Sequence, residues 1–596
     1  MWGSFVKKSS FALLSIVLTV SLAACTKNKN DTAASGAASS VTETTAPESA
    51  SATASATASE SATDPFGKYT PPIEVTGFKA IGISTKFENG ETIDDNRWMK
   101  AYEDELGIKL KWLWSADEAT QYYNKLNVSI ASGEYADFFV VNSKQFKMLA
   151  KDGQLADLTE AFEKYASPLV KKYMNAFPQG FESGKVDGKL VGLSPQGDYA
   201  GQSLMIWIRQ DWMEQLGLQP PKTMDDFVKI AEAFAKQDPD NNGKNDTYGL
   251  AVTNAFFGGF QGDYLMGVAS LEGFFNGYHA YPSIWIKDDS GKLVYGSVQP
   301  QMKDALKKLQ EMFKAGLIDK EFGVKDPGKV VEDIYKNKIG MSIGMEWNTG
   351  WPFDEMLKTN PKAIWKPYPL VSVDDQPALA ENPWPISGYM VASKNAKHPE
   401  ALIKMLNLYV KYVVDENRTK EDSNKFEKSQ DGTYLYSTYA LAAMNNPDLA
   451  MNDFYKLNTA LKNKSDATLR YTDGPMKGEI NSLLEGQYKQ GLAFVEKGDV
   501  SNGNVQIYTQ KMADDGSYAI LKHYRDNNLL MINQMPGVGT DTLVQKKSTL
   551  LKLEQEVLTK IIMGVRPVDD FDKFVEDWKK LGGDRITQEV NDTYNN

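Results

Sequence analysis

The chain has 596 residues, of which 42% are apolar and 11% aromatic, so it is too long for one hydrophobic core and too apolar to be wholly disordered. Its formal net charge of -12 argues against a nucleic-acid surface, which needs clustered positive charge. A single cysteine occurs in the whole chain, which excludes an internal disulfide.

The first 24 residues have the pattern of a secretory signal. Lys7 and Lys8 precede an apolar run over 11–20 that is too short to span a bilayer. The ending Leu-Ala-Ala-Cys at 22–25 resembles a bacterial lipobox, in which the signal is cut before the cysteine and the cysteine is lipidated. Lipidation of Cys25 would hold the protein on the extracellular face of the bacterial cell membrane. The alternative is an ordinary signal peptide with an incidental cysteine.

Residues 25–71 consist of Cys25 and a segment rich in Ser, Thr and Ala. Such a segment cannot bury a core, and we expect it to be disordered. A coil of this length spans on the order of 40 Å root-mean-square. It would act as a tether between the membrane and the folded body.

From about Pro71 the sequence alternates between strand and helix signals. Strands are predicted at 77–83, 108–114 and 137–141, with helices at 98–106 and 118–132 between them. This alternation predicts an α/β sheet with crossover helices. Later helices are predicted at 167–177, 302–315, 330–336 and 399–414, and from about Val544 the chain is helical and amphipathic.

The stretch 205–250 begins with an apolar strand at 205–208 and a short helix that ends near Gly217. A second helix follows, and its start is specified by Thr223, whose hydroxyl can accept from the backbone N–H of Asp226. Asp225 and Asp226 also lie at the positive end of the helix dipole. Trp207 and Trp212, within the strand and the first helix, are expected in the core.

The loop after this helix has the ligand spacing of a calcium site. Asp238, Asp240, Asn242 and Asp246 stand at alternate positions, Gly243 permits a sharp turn, and Lys244 offers its backbone carbonyl. An EF-hand would end in a bidentate glutamate where this chain has Gly249, so water, a carbonyl or a distant carboxylate must complete the site. The alternative is a solvated turn in which Asp and Asn cap their own backbone. A calcium ion bound here would be structural.

Four segments carry short motifs in a characteristic order. Residues 131–137 are similar to the turn A-S-G-D-x-P-D, with Ala136 in place of proline, and residues 340–347 to a segment that ends in a sugar-stacking tryptophan. Residues 392–401 are similar to S-K-N-x-K-H-P-E-A, and residues 238–249 to a calcium loop. Together they resemble the extracellular solute-binding proteins of bacterial ABC importers, in particular sugar-binding lipoproteins of the oligosaccharide-binding branch.

The resemblance covers nearly all of the chain after the signal and implies a two-lobed α/β fold of the periplasmic-binding-protein type (type II), with a hinge and an interlobe cleft that closes on a ligand. We expect lobe one at 72–200 and 387–520, and lobe two at 203–385 and 525–596. It also implies an oligosaccharide ligand, ABC permease subunits as partners and a monomer that contacts the membrane through its lipid anchor only.

A cleft that binds sugar needs flat aromatic surfaces and a few polar groups. The sequence offers candidates of both kinds; many tryptophans are buried core residues instead, and Trp347 is favoured because the family motif places it. The aromatic candidates are Trp347, Trp351, Trp384, Trp285 and Tyr264. The polar candidates are Asp198, Gln202 and Glu346.

Catalytic motifs are scarce. His279, His398 and His523 are the only histidines and are widely spaced, and the sequence contains no G-x-S-x-G elbow or P-loop. A glycosidase needs only two carboxylates, however, and the acidic doublet Asp374-Asp375 is more readily explained as the cap of a surface turn. The leading hypothesis is a binding protein without enzymatic activity. The alternatives are a surface-anchored polysaccharide hydrolase or lyase and, more weakly, a sensor or scaffold lipoprotein.

Overall fold

The computed structural model describes residues 64–81, 87–117, 120–176, 178–195, 201, 203–257, 267–382, 386, 388–427, 435–472, 476–501, 503–535 and 539–594. The signal segment and Cys25 lie outside these residues, as do the candidate ligand residues Asp198, Gln202, Tyr264 and Trp384. In the described ranges, no helix has both the length and the apolar character that crossing a membrane requires.

Strands and helices alternate through most of the chain, as the sequence predicts. The strands are β1 Ile73–Ile81, β2 Ile108–Asp117, β3 Phe138–Asn142, β4 Lys185–Val186, β5 Lys189–Leu190, β6 Met205–Arg209, β7 Tyr248–Leu250, β8 Trp285–Lys287, β9 Leu293–Tyr295, β10 Ile339–Gly344, β11 Trp365–Tyr368, β12 Ala380–Asn382, β13 Gly388–Ala392 and β14 Leu530–Ile532.

The helices of the first half of the chain are α1 Arg97–Ala101, α2 Thr120–Ser132, α3 Ser143–Lys151, α4 Thr159–Tyr165, α5 Pro168–Asn175, α6 Pro178–Glu182, α7 Gln210–Gln215, α8 Met224–Lys236, α9 Glu272–Asn276 and α10 Met302–Lys314. Those of the second half are α11 Pro327–Tyr335, α12 Phe353–Leu357, α13 Glu400–Tyr409, α14 Lys420–Asp422, α15 Leu435–Tyr439, α16 Leu449–Asn463, α17 Ser482–Lys497, α18 Asn504–Ile507, α19 Ser517–Asp526, α20 Asp541–Ile562, α21 Asp570–Trp578 and α22 Asp584–Tyr594.

The first of two four-stranded sheets has the order β13-β3-β1-β2. β1 runs parallel to β2 and β3, whereas β13 runs antiparallel to β3 and pairs Gly388 with Asn142. Because β13 is antiparallel, its first residue lies at the same sheet edge as the last residue of β3. When the chain returns to this sheet through β13, it therefore enters at the edge where β3 ends and α3 begins.

The second sheet has the order β11-β6-β10-β7. β10 runs antiparallel to β6, and Met205 at the start of β6 pairs with Gly344 at the end of β10. Every residue of β6 and β10 is buried, in keeping with side chains that are apolar on both faces of these strands except at Arg209 and Ser342. The residues that follow Gly344 lie at the edge where the chain enters this sheet.

Separate hydrophobic cores cover the two sheets. The cores of the first sheet include residues from Val75 to Leu193 and from Ile386 to Met444, and the core of the second sheet extends from Leu204 to Ala380. The second core also includes Met451 and several residues between 520 and 590, while a small core of its own lies within 457–512. The lobe boundaries given above stay a prediction, and the core membership of Met451 places a further chain passage between 444 and 451.

Several local predictions are confirmed. The side chain of Thr223 accepts from the N–H of Asp226 at the start of α8, and Trp207 and Trp212 are buried in the core. Asp374 accepts from the backbone N–H of Gln376, which is the turn cap expected of the acidic doublet. The helices between 449 and 526 and the short parallel pair of β12 with β14 were not predicted.

Candidate functional site

Two of the candidate tryptophans lie together directly after β10. Trp347 belongs to a 3-10 helix over Glu346–Thr349, and Trp351 follows it by one turn. Their rings are stacked, with centroids 6.2 Å apart and planes 25° from parallel. Both side chains are half-buried against the second core, so they form a fixed aromatic surface at the edge where the chain enters the second sheet.

Three hydrogen bonds hold the backbone just before this tryptophan pair. The N–H of Met345 donates to the carbonyl of Gly267, and the indole N–H of Trp207 donates to the carbonyl of Met345 at 3.2 Å. The hydroxyl of Ser517 donates to the carbonyl of Glu346 at 3.0 Å. These bonds fix where the two indoles stand, and Glu346 adds a half-buried carboxyl beside them.

Trp285 lies elsewhere, in the interior of the second core. Its side chain is 2% exposed, its ring packs against Tyr295 with centroids 5.6 Å apart, and its backbone N–H donates to Asn533. No face of this indole is open to a ligand in the structure. The expectation of a platform at Trp285 is therefore not met, because the short strand β8 turns the ring inward.

A cluster of fully buried polar side chains lies beside the crossings, the segments in which the chain passes from one sheet to the other. Asn276, at the end of α9, accepts from the N–H of Glu381 in β12, and Asn382 donates to the hydroxyl of Ser203. Burial, together with the neighbouring carboxyl of Glu272, raises the pKa of Glu381 well above its usual range. No pattern in the sequence predicts this cluster, and its one signal is a polar pair, Glu381-Asn382, at the end of an apolar run.

The loop after α8 adopts the sharp turn that its sequence predicts. Asp238 accepts from the N–H groups of Asn242 and Gly243 at 3.1 and 3.0 Å, and Gly243 has a φ of 75°, which favours glycine. The amide of Asn242 donates to Asp240 at 2.8 Å and to Asp246 at 2.9 Å. The amide nitrogen thus lies between two carboxylates, where a cation would be expected.

The chemistry of this loop fits a hard cation. One carboxylate oxygen of Asp240 is buried without a hydrogen-bond partner, and burial together with Asp238 and Asp246 raises the pKa of Asp240. A cation would relieve both features, provided that the Asn242 amide turns its oxygen inward. Across the described residues, no three acidic, histidine or cysteine side chains are arranged as a complete metal-binding group.

His279 lies beside both a serine hydroxyl and a carboxylate, and the arrangement is not that of a catalytic triad. Its Nε2 atom lies 3.0 Å from Asp374 and 3.3 Å from the hydroxyl of Ser372. In a triad the nucleophile and the carboxylate contact opposite nitrogens of the ring, whereas here both contact the same one. This cluster is better explained as the cap of the turn.

Comparison with known proteins supplies an independent finding. A family model described as bacterial extracellular solute-binding protein matches residues 90–413 of the chain. Among curated proteins, lipoprotein LipO of Bacillus subtilis is 24% identical over 519 residues, which are 84% of this chain and 89% of that protein. The polygalacturonan/rhamnogalacturonan-binding protein YtcQ of the same species is 22% identical over 84% of this chain and 88% of its own.

Solved structures share the fold at low sequence identity. An HMO-binding solute-binding protein associated with an ABC transporter, from Bifidobacterium longum infantis, has a TM-score of 0.56 at 15% identity and covers 88% of this chain and 98% of its own. An alginate-binding protein solved without calcium ion has a TM-score of 0.51 at 15% identity and covers 90% and 100%. The α/β architecture with two sheets is therefore that of solute-binding proteins.

Proposed function

The chain belongs to the family of bacterial extracellular solute-binding proteins, and on this basis we propose that it captures an oligosaccharide outside the cell and delivers it to an ABC permease. The observation that carries the carbohydrate assignment is the stacked pair Trp347 and Trp351, because the C–H face of a sugar packs on flat aromatic rings. Trp384, Tyr264, Asp198, Gln202 and Glu346 complete the proposed site.

Ligand capture would proceed through closure of two lobes around the crossings. The tryptophan pair follows β10 at the edge where the chain enters the second sheet, and α3 begins at the corresponding edge of the first sheet. A ligand that contacts both edges stabilises the closed form by its extra contacts there. The fixed backbone around Met345 keeps the aromatic surface in place, so that less conformational entropy is lost on binding.

Titration calorimetry of the protein without its signal and tether, against a panel of oligosaccharides, tests the proposal. We expect Trp347→Ala to weaken binding of the active sugar by roughly 10- to 100-fold, since it removes one face of the aromatic surface. Asp288→Ala, in an exposed turn, serves as the control and should bind as the unchanged protein does. Binding to peptides with none to any glycan would refute the carbohydrate assignment.

We also propose that binding occurs without turnover. Incubation of the protein with the sugar that it binds should release no new reducing ends and no unsaturated product. Detection of either product, in proportion to the amount of protein, would favour the surface-anchored hydrolase or lyase instead.

The membrane anchor and the metal are parts of the same proposal. Lipidation at Cys25 would keep the protein near its permease, and Cys25→Ser should release it into the medium when it is expressed in a Gram-positive host. Calcium would be held by Asp238, Asp240, Asn242 and Asp246 with the carbonyl of Lys244. Such an ion would fix the end of α8, and no binding step depends on it.

A further inference from the structure

A groove of about 1070 Å³ lies between α3 on one side and the start of α20 with the α22 region on the other. α3 begins directly after Asn142, which pairs with Gly388 at the edge where the chain returns to the first sheet through β13. Thr540, at the start of α20, follows β14, whose partner β12 ends at the same crossing. The groove therefore adjoins the crossings between the two sheets, and its volume matches a ligand larger than a single small ion.

The α3 wall of the groove is a face of lysines. Lys144, Lys147 and Lys151 are spaced by three and four residues, so they lie on one side of the helix and point into the same space. The helix contains no acidic residue. The ammonium groups of Lys144 and Lys151 have no hydrogen bond and no ion pair within the described residues, whereas lysines on other helices, such as Lys164 and Lys236, pair with a glutamate one turn away.

The opposite wall carries three basic and three acidic side chains, so the excess of positive charge in the groove comes from α3. Six basic and four acidic side chains line the groove, in a chain whose net charge is -12. Of the acids, Glu589 is already bonded to Arg585 and Thr542. The lining of the groove is therefore net positive, although the whole molecule is net negative. A concave region of positive charge attracts anions.

Of the three lysines on α3, Lys147 has the most buried side chain. It is half-buried, and burial lowers its pKa to about 8, while Asp541 across the groove acts in the opposite direction. A second anion beside Lys147 would favour its charged form. The desolvated ammonium group is therefore suited to pair with an acidic ligand.

We propose that this groove binds the acidic groups of the transported oligosaccharide, so that the ligand is an anionic glycan with charged groups on successive units. The inference rests on the proposed function and narrows it to one ligand class. Lysines one helical turn apart, about 5 Å, match a chain that carries repeated charges better than a ligand with a single charge. This inference favours a ligand like the acidic polysaccharide in the name of the relative YtcQ over a neutral sugar.

The test is titration calorimetry with tetragalacturonate, its neutral methyl ester and a sulfated oligosaccharide. We expect binding to an acidic probe that weakens as salt is raised, and Lys144→Ala/Lys147→Ala/Lys151→Ala should weaken it by roughly 10- to 100-fold. Lys144→Glu/Lys151→Glu, which leaves the half-buried Lys147 in place, should weaken it at least as much. The charge-matched control Lys164→Ala/Lys171→Ala/Lys172→Ala should bind as the unchanged protein does, since none of these lysines lines the groove.

The outcomes separate this inference from the proposed function. Binding to the neutral ester with none to either acidic probe, or unchanged binding of the acidic probe by both α3 variants, would overturn the inference while the oligosaccharide assignment stands. Failure to bind any glycan in a wide panel would overturn both. Binding to only one of the acidic probes supports the inference and identifies the anion as carboxylate or sulfate.

Discussion

Glu554, in α20, has a fully buried carboxyl group, and its protonation is linked to the stability of the fold. It accepts from the hydroxyl of Tyr295 at 3.1 Å, and burial raises its pKa to about 7 from an ordinary value of 4.5. Below pH 4.5 the group is neutral in both the folded and the unfolded chain. Between pH 4.5 and about 7 only the unfolded chain loses this proton, so the contribution of Glu554 to stability falls as the pH rises.

We therefore predict that Glu554→Gln raises the free energy of unfolding at pH 8, on the order of 3 kcal/mol, with little effect at pH 4. Glutamine keeps an acceptor for Tyr295 and cannot ionise. Denaturant unfolding across this pH range measures the difference from the unchanged protein. Glu556→Gln, an exposed control that pairs with Lys560 on the same helix, should retain the original pH dependence; equal pH profiles for both variants would contradict the assignment.

The indole of Trp347 can occupy its position because residue 267 is a glycine and has no side chain there. A Cβ atom at residue 267 would lie 2.5 Å from the indole of Trp347, closer than such atoms approach in folded proteins, so the indole would have to move. We predict that Gly267→Ala weakens oligosaccharide binding although every proposed ligand contact is chemically intact. The doubly changed Gly267→Ala/Trp347→Ala should bind no more weakly than Trp347→Ala alone.

The matched control is Gly486→Ala, at a helical position where an added Cβ meets no atom within 4 Å. It should leave affinity unchanged. Additive losses in the Gly267→Ala/Trp347→Ala pair would show that residue 267 acts other than through this indole.

At the scale of elements, α8 and its loop form a unit that local sequence determines. The cap at Thr223 needs only a hydroxyl three residues before an amide, and the turn at Gly243 needs only a glycine with positive φ. Both were predicted because the interacting groups are near in sequence. Calcium binding to this loop should stabilise the fold, by about 2.7 kcal/mol when calcium exceeds its Kd 100-fold.

Chelation should accordingly lower the melting temperature of the protein, and Asp240→Ala should remove that difference. Asp240 is suited to the test because one of its oxygens is buried without a partner. Asp288→Ala, in a turn where the carboxylate accepts from backbone N–H groups and from the hydroxyl of Ser290, should retain the sensitivity to chelation. A melting curve that chelation leaves unchanged would identify the 238–249 loop as a solvated turn.

Elements that depend on distant residues were harder to predict. β12 pairs with β14 across about 150 residues, and three-residue strands carry too few side chains for a periodic signal. Trp285 is expected at the ligand site because a sugar cleft needs flat aromatic surfaces, but contacts with Tyr295 and with Asn533, which is distant in the sequence, bury it. The lysine face of α3 could have been found, since Lys144, Lys147 and Lys151 recur at helical spacing in a helix without acids.

For the whole molecule, two cores joined by repeated chain passages provide the physical basis for relative motion. Core residues change from the first sheet to the second between Leu193 and Leu204, and back between Ala380 and Ile386. Each core is packed from its own sheet and helices, and the proposed closure requires that the two cores move relative to each other with their interiors intact. Both the tryptophan pair and the lysine face lie at edges beside these passages, where a ligand would contact both bodies.

We predict that the bound oligosaccharide shortens the distance between the two bodies. The chain has a single cysteine, so in Cys25→Ser spin labels can be placed at Lys172→Cys on α5 and Lys229→Cys on α8, both exposed and outside the groove. The label distance should decrease and its distribution should narrow when the sugar is added, because the ligand favours the closed form. A control pair within one body, Lys229→Cys with Lys314→Cys, should report no change, and an unchanged distance between the bodies at saturating sugar would contradict closure.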